Sequence, residues 1–153
     1  MLFRSLGMAA TTATIELGPY LDQVVSLIDS TLAGDISVEG SFENVAIGSK
    51  QATIVGTIVN ELAANASKHS FKHSAGTIIF RGERVGETGY RLVCSDDAKP
   101  GAEETLATAS PGGRVGLGLK ILKASVRQLG GTMAAIQDDQ GYSTQIDFDI
   151  PAG

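Results

Sequence analysis

Three stretches hold residue types that do chemistry at spacings able to bring them together. Between about Ser49 and His69 the apolar residues recur at helical spacing. With Ile58 set at zero and about 100° per residue, Val55, Leu62 and Ala66 fall at about 40 to 80°, while Glu61, Asn65 and Lys68 fall at about −60, −20 and −80°. One carboxylate, one amide and one ammonium therefore share a narrow arc beside the apolar stripe. Such a trio can hold a divalent cation through oxygen, contact phosphate through the ammonium and leave a carboxylate to accept a proton. The same spacing also describes a solvated face carrying an ordinary Glu–Lys pair, and spacing does not separate the two.

The second stretch, Ser95-Asp96-Asp97-Ala98-Lys99-Pro100-Gly101, closes an apolar run. An aspartate at a strand end can accept a hydrogen bond from an exocyclic amine, and a nearby glycine lets a flat ring approach the backbone; a plain turn has the same composition. The third stretch, Gly112-Gly113-Arg114-Val115-Gly116-Leu117-Gly118-Leu119-Lys120, opens directly into a helical pattern. Free N–H groups and the helix dipole there suit a phosphate. Neither G-x-x-x-x-G-K-[ST] nor a strand-preceded G-x-G-x-x-G is present, and glycines that merely ease a loop into a helix remain the alternative.

The elements that must position these residues follow from periodicity. Apolar Leu21, Val24, Val25, Ile28 and Leu32 behind Pro19 predict a helix over about 18–33, ending near Gly34. Ile36 to Phe42 and Val45 to Ile47 read as short strands, and Ser49 as the N-cap of the helix bearing Glu61. Thr77 to Arg81 and Tyr90 to Cys94 flank GERVGETG as a hairpin. Residues 96–113 have no periodicity and read as a functional loop. A helix from about Gly116 to Leu129 stops at Gly130-Gly131, and a last hairpin joins Thr132 to Ile136 with Ser143 to Ile150. The order α, β, β, α, β, β, loop, α, β, β predicts an α+β, two-layer sandwich: a mixed, mostly antiparallel sheet with helices on one face.

With 153 residues, 42% of them hydrophobic and 19% charged, the chain has the composition of one folded domain. Twelve Lys and Arg against 17 Asp and Glu leave a net charge of −5, which repels a phosphate backbone and argues against nucleic acid as a partner. The single Cys94 permits no internal disulfide and suits a reducing cytoplasm. The first residues lack the regions of a signal peptide, and no run of about 18 apolar residues predicts a membrane span. The 19 glycines exceed the usual share of about 7%, so some part of the molecule uses backbone without side chains.

In sequence order, NELAANASKH at 60–69, DAKPG at 97–101 and GLGLK at 116–120 resemble the N box and two glycine boxes of histidine-kinase ATPase domains. Leu129-Gly130-Gly131 through Ser143 to Phe148 resembles that family's closing strands. The NELAANASKHSF stretch, with the preceding YLDQVV helix and a short lid, is most similar to HWE-type and related sensor kinases. The resemblance spans about residues 15–151.

It implies the Bergerat ATP-binding sandwich shared with gyrase and the heat-shock chaperone ATPase, with an ATP lid at about 101–115. Residues 15–153 would form the catalytic domain, and residues 1–14 a remnant or linker from a preceding dimerisation region. Carried over by motif, Glu61 would orient or deprotonate, Asn65 would ligate Mg2+ and Lys68 would approach phosphate. Asp97 would accept from the adenine amino group, supported by Thr144, with Gly101 beside the ring. Gly116 and Gly118 would seat the phosphates, and Arg114 would face the γ-phosphate. The implied cofactors are ATP and Mg2+. The implied partners are a histidine-bearing dimerisation helix and a response regulator, with no membrane contact from this chain.

The chain departs from the pattern at Lys99, where the family's glycine box has its first glycine. Neither His69, inside the N box, nor His73 stands where a phosphoacceptor belongs, so the expected enzyme is a protein-histidine kinase fragment whose acceptor lies elsewhere. The rival expectations are a degenerate Bergerat domain serving as a docking scaffold or phosphotransfer module, and a stand-alone anti-sigma serine kinase of the same fold.

Overall fold

The computed structural model describes residues 13–32, 35–70, 75–97, 114–138 and 141–150. The elements in chain order are β1 (Thr14–Glu16), α1 (Leu17–Thr31), β2 (Ile36–Phe42), β3 (Ala46–Gly48), α2 (Ser49–Asn65), a π turn (Ala66–Ser70), β4 (Gly76–Val85), β5 (Gly89–Asp96), α3 (Arg114–Leu129), β6 (Thr132–Asp138) and β7 (Gly141–Asp149). Five strands form one sheet in the order β2-β4-β5-β7-β6, with β2 and β4 parallel and the other pairs antiparallel; β1 and β3 form a separate antiparallel ribbon. The fold is the α+β, mixed and mostly antiparallel sandwich expected from the element order. Among the described residues no helix is long and apolar enough to cross a membrane.

Side-chain alternation shows which face the helices cover. Along β5, Tyr90, Leu92, Cys94 and Asp96 are buried while Arg91, Val93 and Ser95 are half-buried. Ile78 and Phe80 of β4 and Ile146 and Phe148 of β7 join the buried set. Leu21, Val25 and Ile28 of α1, Val55, Ile58 and Leu62 of α2, and Leu122, Val126 and Leu129 of α3 close the core over that face. The stripe expected on α2 is the buried one, Ala66 included. The opposite sheet face carries the ion pair from Arg91 Nε to Asp147 Oδ1 at 2.8 Å.

Several local expectations are corrected. The N-cap of α2 is Gly48, not Ser49, because the chain enters from β3 in extended conformation and Ser49 N–H already donates to Ala13 O at 3.2 Å. Helix α2 does not run regularly to His69: it widens into the π turn after Asn65. Helix α1 closes at Thr31, and Gly34 lies outside the described residues. The first long hairpin has longer strands and a tighter turn than GERVGETG suggests. Gly82 stays in β4 because its bare Cα faces the Tyr90 ring, where an added Cβ would stand 2.9 Å from ring carbons. Gly86, at φ 67°, makes the turn instead. Helix α3 begins at Arg114, two residues before Gly116. Its expected stop holds: Gly130 at φ 73° donates to Arg127 O at 2.9 Å and Gly131 to Val126 O at 3.0 Å, a Schellman closure.

Helix α1 has no capping side chain of its own. Its first donors are satisfied by the loop between β2 and β3, with Leu17 N–H donating to Val45 O at 2.9 Å and Gly18 N–H to Asn44 Oδ1 at 2.9 Å. The Asn44 amide in turn donates to Glu16 Oε1. Asn44→Ala removes this cap at a distance in sequence, and we expect a loss of about 1 kcal/mol, read as a fall of about 2 to 4 °C in Tm. An unchanged Tm refutes the capping role.

Candidate functional site

The end of α2, the π turn, the end of β5, the start of β7 and the first turns of α3 meet at one end of the sheet, because α2 leads into β4 and Ile78 of β4 pairs with Asp96. Helix α3 packs along α2. The contact is close at Gly118, where an added Cβ would stand 3.3 Å from Glu61 Oε1 and 3.4 Å from Asn65 Oδ1. The structure therefore brings together Glu61 and Asn65 of one motif and Gly118 of another, more than 50 residues away. Both side chains are half-buried, at the rim of the core.

Lys68 lies beyond the regular part of α2. It falls in the π turn and is exposed, where each residue advances by less than about 100°. Arg114 and Gly116 are in the first turn of α3. Gly101, Lys99 and His73 lie outside the described residues, and His69 falls within the π turn.

The adjacent aspartates occupy different environments. Asp97 is exposed just beyond β5; its Oδ1 accepts from Thr77 N–H at 2.9 Å and its N–H donates to Thr77 O at 3.2 Å, so it closes the strand pair. Asp96 is 9% exposed and lies on the helix-covered face with Leu92 and Cys94. Thr144 pairs with Cys94 and continues that face through Ile146 and Phe148. Asp96 and Thr144 thus share the covered face while Asp97 does not. Motif spacing points to Asp97; the alternation of β5, visible in Leu92-Val93-Cys94-Ser95-Asp96, is the signal that singles out Asp96. Burial, with the Asp96 carboxylate adding to it, pushes the Cys94 thiol well above its ordinary range, so Cys94 acts as a small apolar wall between Asp96 and Thr144 rather than as a nucleophile.

Among the described residues no three Asp, Glu, His or Cys side chains converge as a metal cage. The donors present are one amide oxygen and one carboxylate beside a glycine that leaves open backbone. That set fits a Mg2+ shared with substrate phosphates, which needs only one or two protein oxygens.

The model of the histidine kinase-, DNA gyrase B- and HSP90-like ATPase family matches residues 50–153. A search of the curated proteins finds no match. Among solved structures, the chain resembles the blue-light activated histidine kinase EL346 of Erythrobacter litoralis with a TM-score of 0.74 at 25% identity, covering 89% of this chain and 42% of that one. The histidine kinase domain of the same protein gives 0.73 at 26% identity, covering 89% of this chain and 62% of that one. The chain thus spans less than two thirds of these relatives. The catalytic domain of histidine kinase ThkA, at 20% identity, shares the fold with a TM-score of 0.68 over 90% of this chain and 95% of that one. The glycine-to-carboxylate contact between α3 and α2 and the match over residues 50–153 lead to one assignment: the chain belongs to the histidine kinase-, DNA gyrase B- and HSP90-like ATPase family.

Proposed function

We propose that this chain is the ATP- and Mg2+-binding catalytic domain of a two-component sensor histidine kinase, donating the γ-phosphoryl group to a histidine on a separate helical segment, from which a response regulator is then served. The observation that carries this reading is the convergence of Glu61 Oε1 and Asn65 Oδ1 over the bare backbone of Gly118. It joins a cation ligand and a proton acceptor to the start of a helix, where phosphate is favoured.

In this reading the Asn65 amide oxygen holds Mg2+, and the ion, once bound, offsets charge on the phosphates. Glu61 orients the acceptor imidazole or takes its proton. Lys68, on its exposed turn, and Arg114 supply positive charge to the phosphates, while Gly116 and Gly118 let them approach the start of α3. Positioning and charge neutralisation carry most of the rate in such a transfer. For the adenine we assign the accepting carboxylate to Asp96 in place of Asp97, on the ground that it shares the covered face with Thr144.

Calorimetric titration with a non-hydrolysable ATP analogue tests these assignments together. Asp96→Asn is expected to weaken binding by at least about tenfold, or roughly 1.4 kcal/mol, whereas Asp97→Asn changes it by less than about threefold; the reverse ranking returns the adenine contact to Asp97. Asn65→Ala is expected to abolish the affinity gained from Mg2+ while leaving Mg2+-free binding in place, and an unchanged Mg2+ dependence refutes its role as ligand. Glu61→Gln spares binding and slows transfer. The unmodified chain with Mg-ATP alone acquires no acid-labile phosphate and transfers it only when a fragment bearing the acceptor histidine is added. Phosphohistidine mapped to His69 or His73 overturns the reading.

A further inference from the structure

The charges of this chain are sorted by position in the fold. Residues 13–49 contain six acidic residues, Glu16, Asp22, Asp29, Asp35, Glu39 and Glu43, with no Lys, Arg or His. All six are exposed. Helix α3 contains Arg114, Lys120, Lys123 and Arg127 with no acid. Helix α1 packs against β2 at one edge of the sheet, and α3 packs over β7 and β6 at the other. The two groups of charge therefore lie on opposite flanks, with the site between them, where α2 and β5 end.

Helical geometry sets the direction of the cationic stripe. Counting about 100° per residue from Gly118, Lys123, Arg127 and Lys120 fall at about 140 to 200°, while Leu122, Val126 and Leu129 fall at about 20 to 80°. The three cations are exposed and the three leucine and valine side chains are buried. The stripe thus points away from α2, and Lys123 and Arg127 stand about one and a half and two and a half turns beyond Gly118, about 7.5 and 13.5 Å along the axis. They cannot reach a ligand seated at Gly118. Among the described residues the ion pair is Arg91–Asp147, so none of these cations meets an acidic partner within 4 Å there. On a chain of net charge −5, α3 is an exposed run of cations without acids, while Asp138, Asp147 and Asp149 lie on the neighbouring β6 and β7.

Resting on the nucleotide-binding reading above, we propose that the cationic stripe of α3 steers nucleoside polyphosphate into the site. Lys123 and Arg127 set its rate of association without touching it, and the acidic α1–β2 flank turns the phosphates toward α3. Such steering acts over about a Debye length, about 30 Å at 0.01 M ionic strength but only about 8 Å at 0.15 M. It changes association rather than dissociation. A contact residue would alter dissociation as well.

Stopped-flow fluorescence with an N-methylanthraniloyl ATP and Mg2+ measures both rates. The double variant Lys123→Gln/Arg127→Gln is compared with Gln23→Glu/Ser26→Glu, which makes the same change in net charge on the exposed face of α1. At 0.01 M ionic strength we expect the α3 variant to associate about three- to tenfold more slowly, with dissociation unchanged. The difference falls within about twofold at 0.3 M, and the α1 variant is slowed by less than half as much on a logarithmic scale. Equal slowing of the two variants, a salt-independent effect, or a change confined to dissociation overturns steering by α3. A wild-type chain that gives no saturable signal overturns the nucleotide-binding reading itself, and is told apart by that.

Discussion

Helix α3 lies closest to the carboxylate and amide of α2 at residue 118, which carries no side chain. An added Cβ would enter the space held by Glu61 Oε1 and Asn65 Oδ1, at 3.3 and 3.4 Å. The Glu61 tip would have to give by a few tenths of an ångström, while Asn65 would meet an ordinary contact. The same helix carries Leu122, Val126 and Leu129 into the core, so α3 serves both the site and the packing over the sheet. The composition already hinted at such a use of bare backbone, and Gly118 and Gly82 are where it is spent: one admits polar atoms of a neighbouring helix, the other the ring of Tyr90.

A second constraint is strand parity. Because side chains alternate, a shift of one residue along β5 moves a carboxylate from the covered face to the exposed one. Asp96 and Asp97 have identical chemistry but different surroundings: one beside Cys94 and diagonal to Thr144, the other closing the strand end on Thr77. This is the basis for placing the adenine contact at Asp96, and it follows from register rather than motif spacing.

Much of the architecture was legible in the sequence. The helical stripes of α1 and α2 and the glycine stop of α3 are local patterns, and all three appear where periodicity put them, within a few residues. What was not legible depended on contacts distant in sequence. The N-cap of α1 comes from Asn44, 26 positions on. Strand β1 has three residues, and its only pairing is with β3, equally short, too little for a period to declare itself. The reach of β4 through Gly82 depends on Tyr90 needing room. Nothing in the pattern announces that the helix widens after Asn65, in the turn that holds Lys68. The pairing of Glu61 and Asn65 with Gly118 was suggested by the order of motifs, but the distance is a tertiary fact.

The molecule divides its tasks between the two ends of its sheet. At the end away from the site, the loop after β2 is tied to several elements: Glu43 N–H donates to Gly82 O at 2.8 Å, Arg84 N–H to Glu43 Oε1 at 2.8 Å and Tyr90 hydroxyl to Glu43 O at 2.9 Å. Burial, reinforced by the Glu43 and Asp22 charges, pushes the Tyr90 hydroxyl above its ordinary range, keeping it a donor at any physiological pH. At the other end, Glu61 and Asn65 of α2 stand half-buried at the rim of the core, beside the end of β5 and the first turns of α3. Functional groups commonly sit in this way at the margin of a packed scaffold. The charges follow the same layout, since α1 and α3 are kept apart by α2 and the width of the sheet. The exposed cations of α3 and the acids of α1 and β2 thus lie on either side of the end of α2.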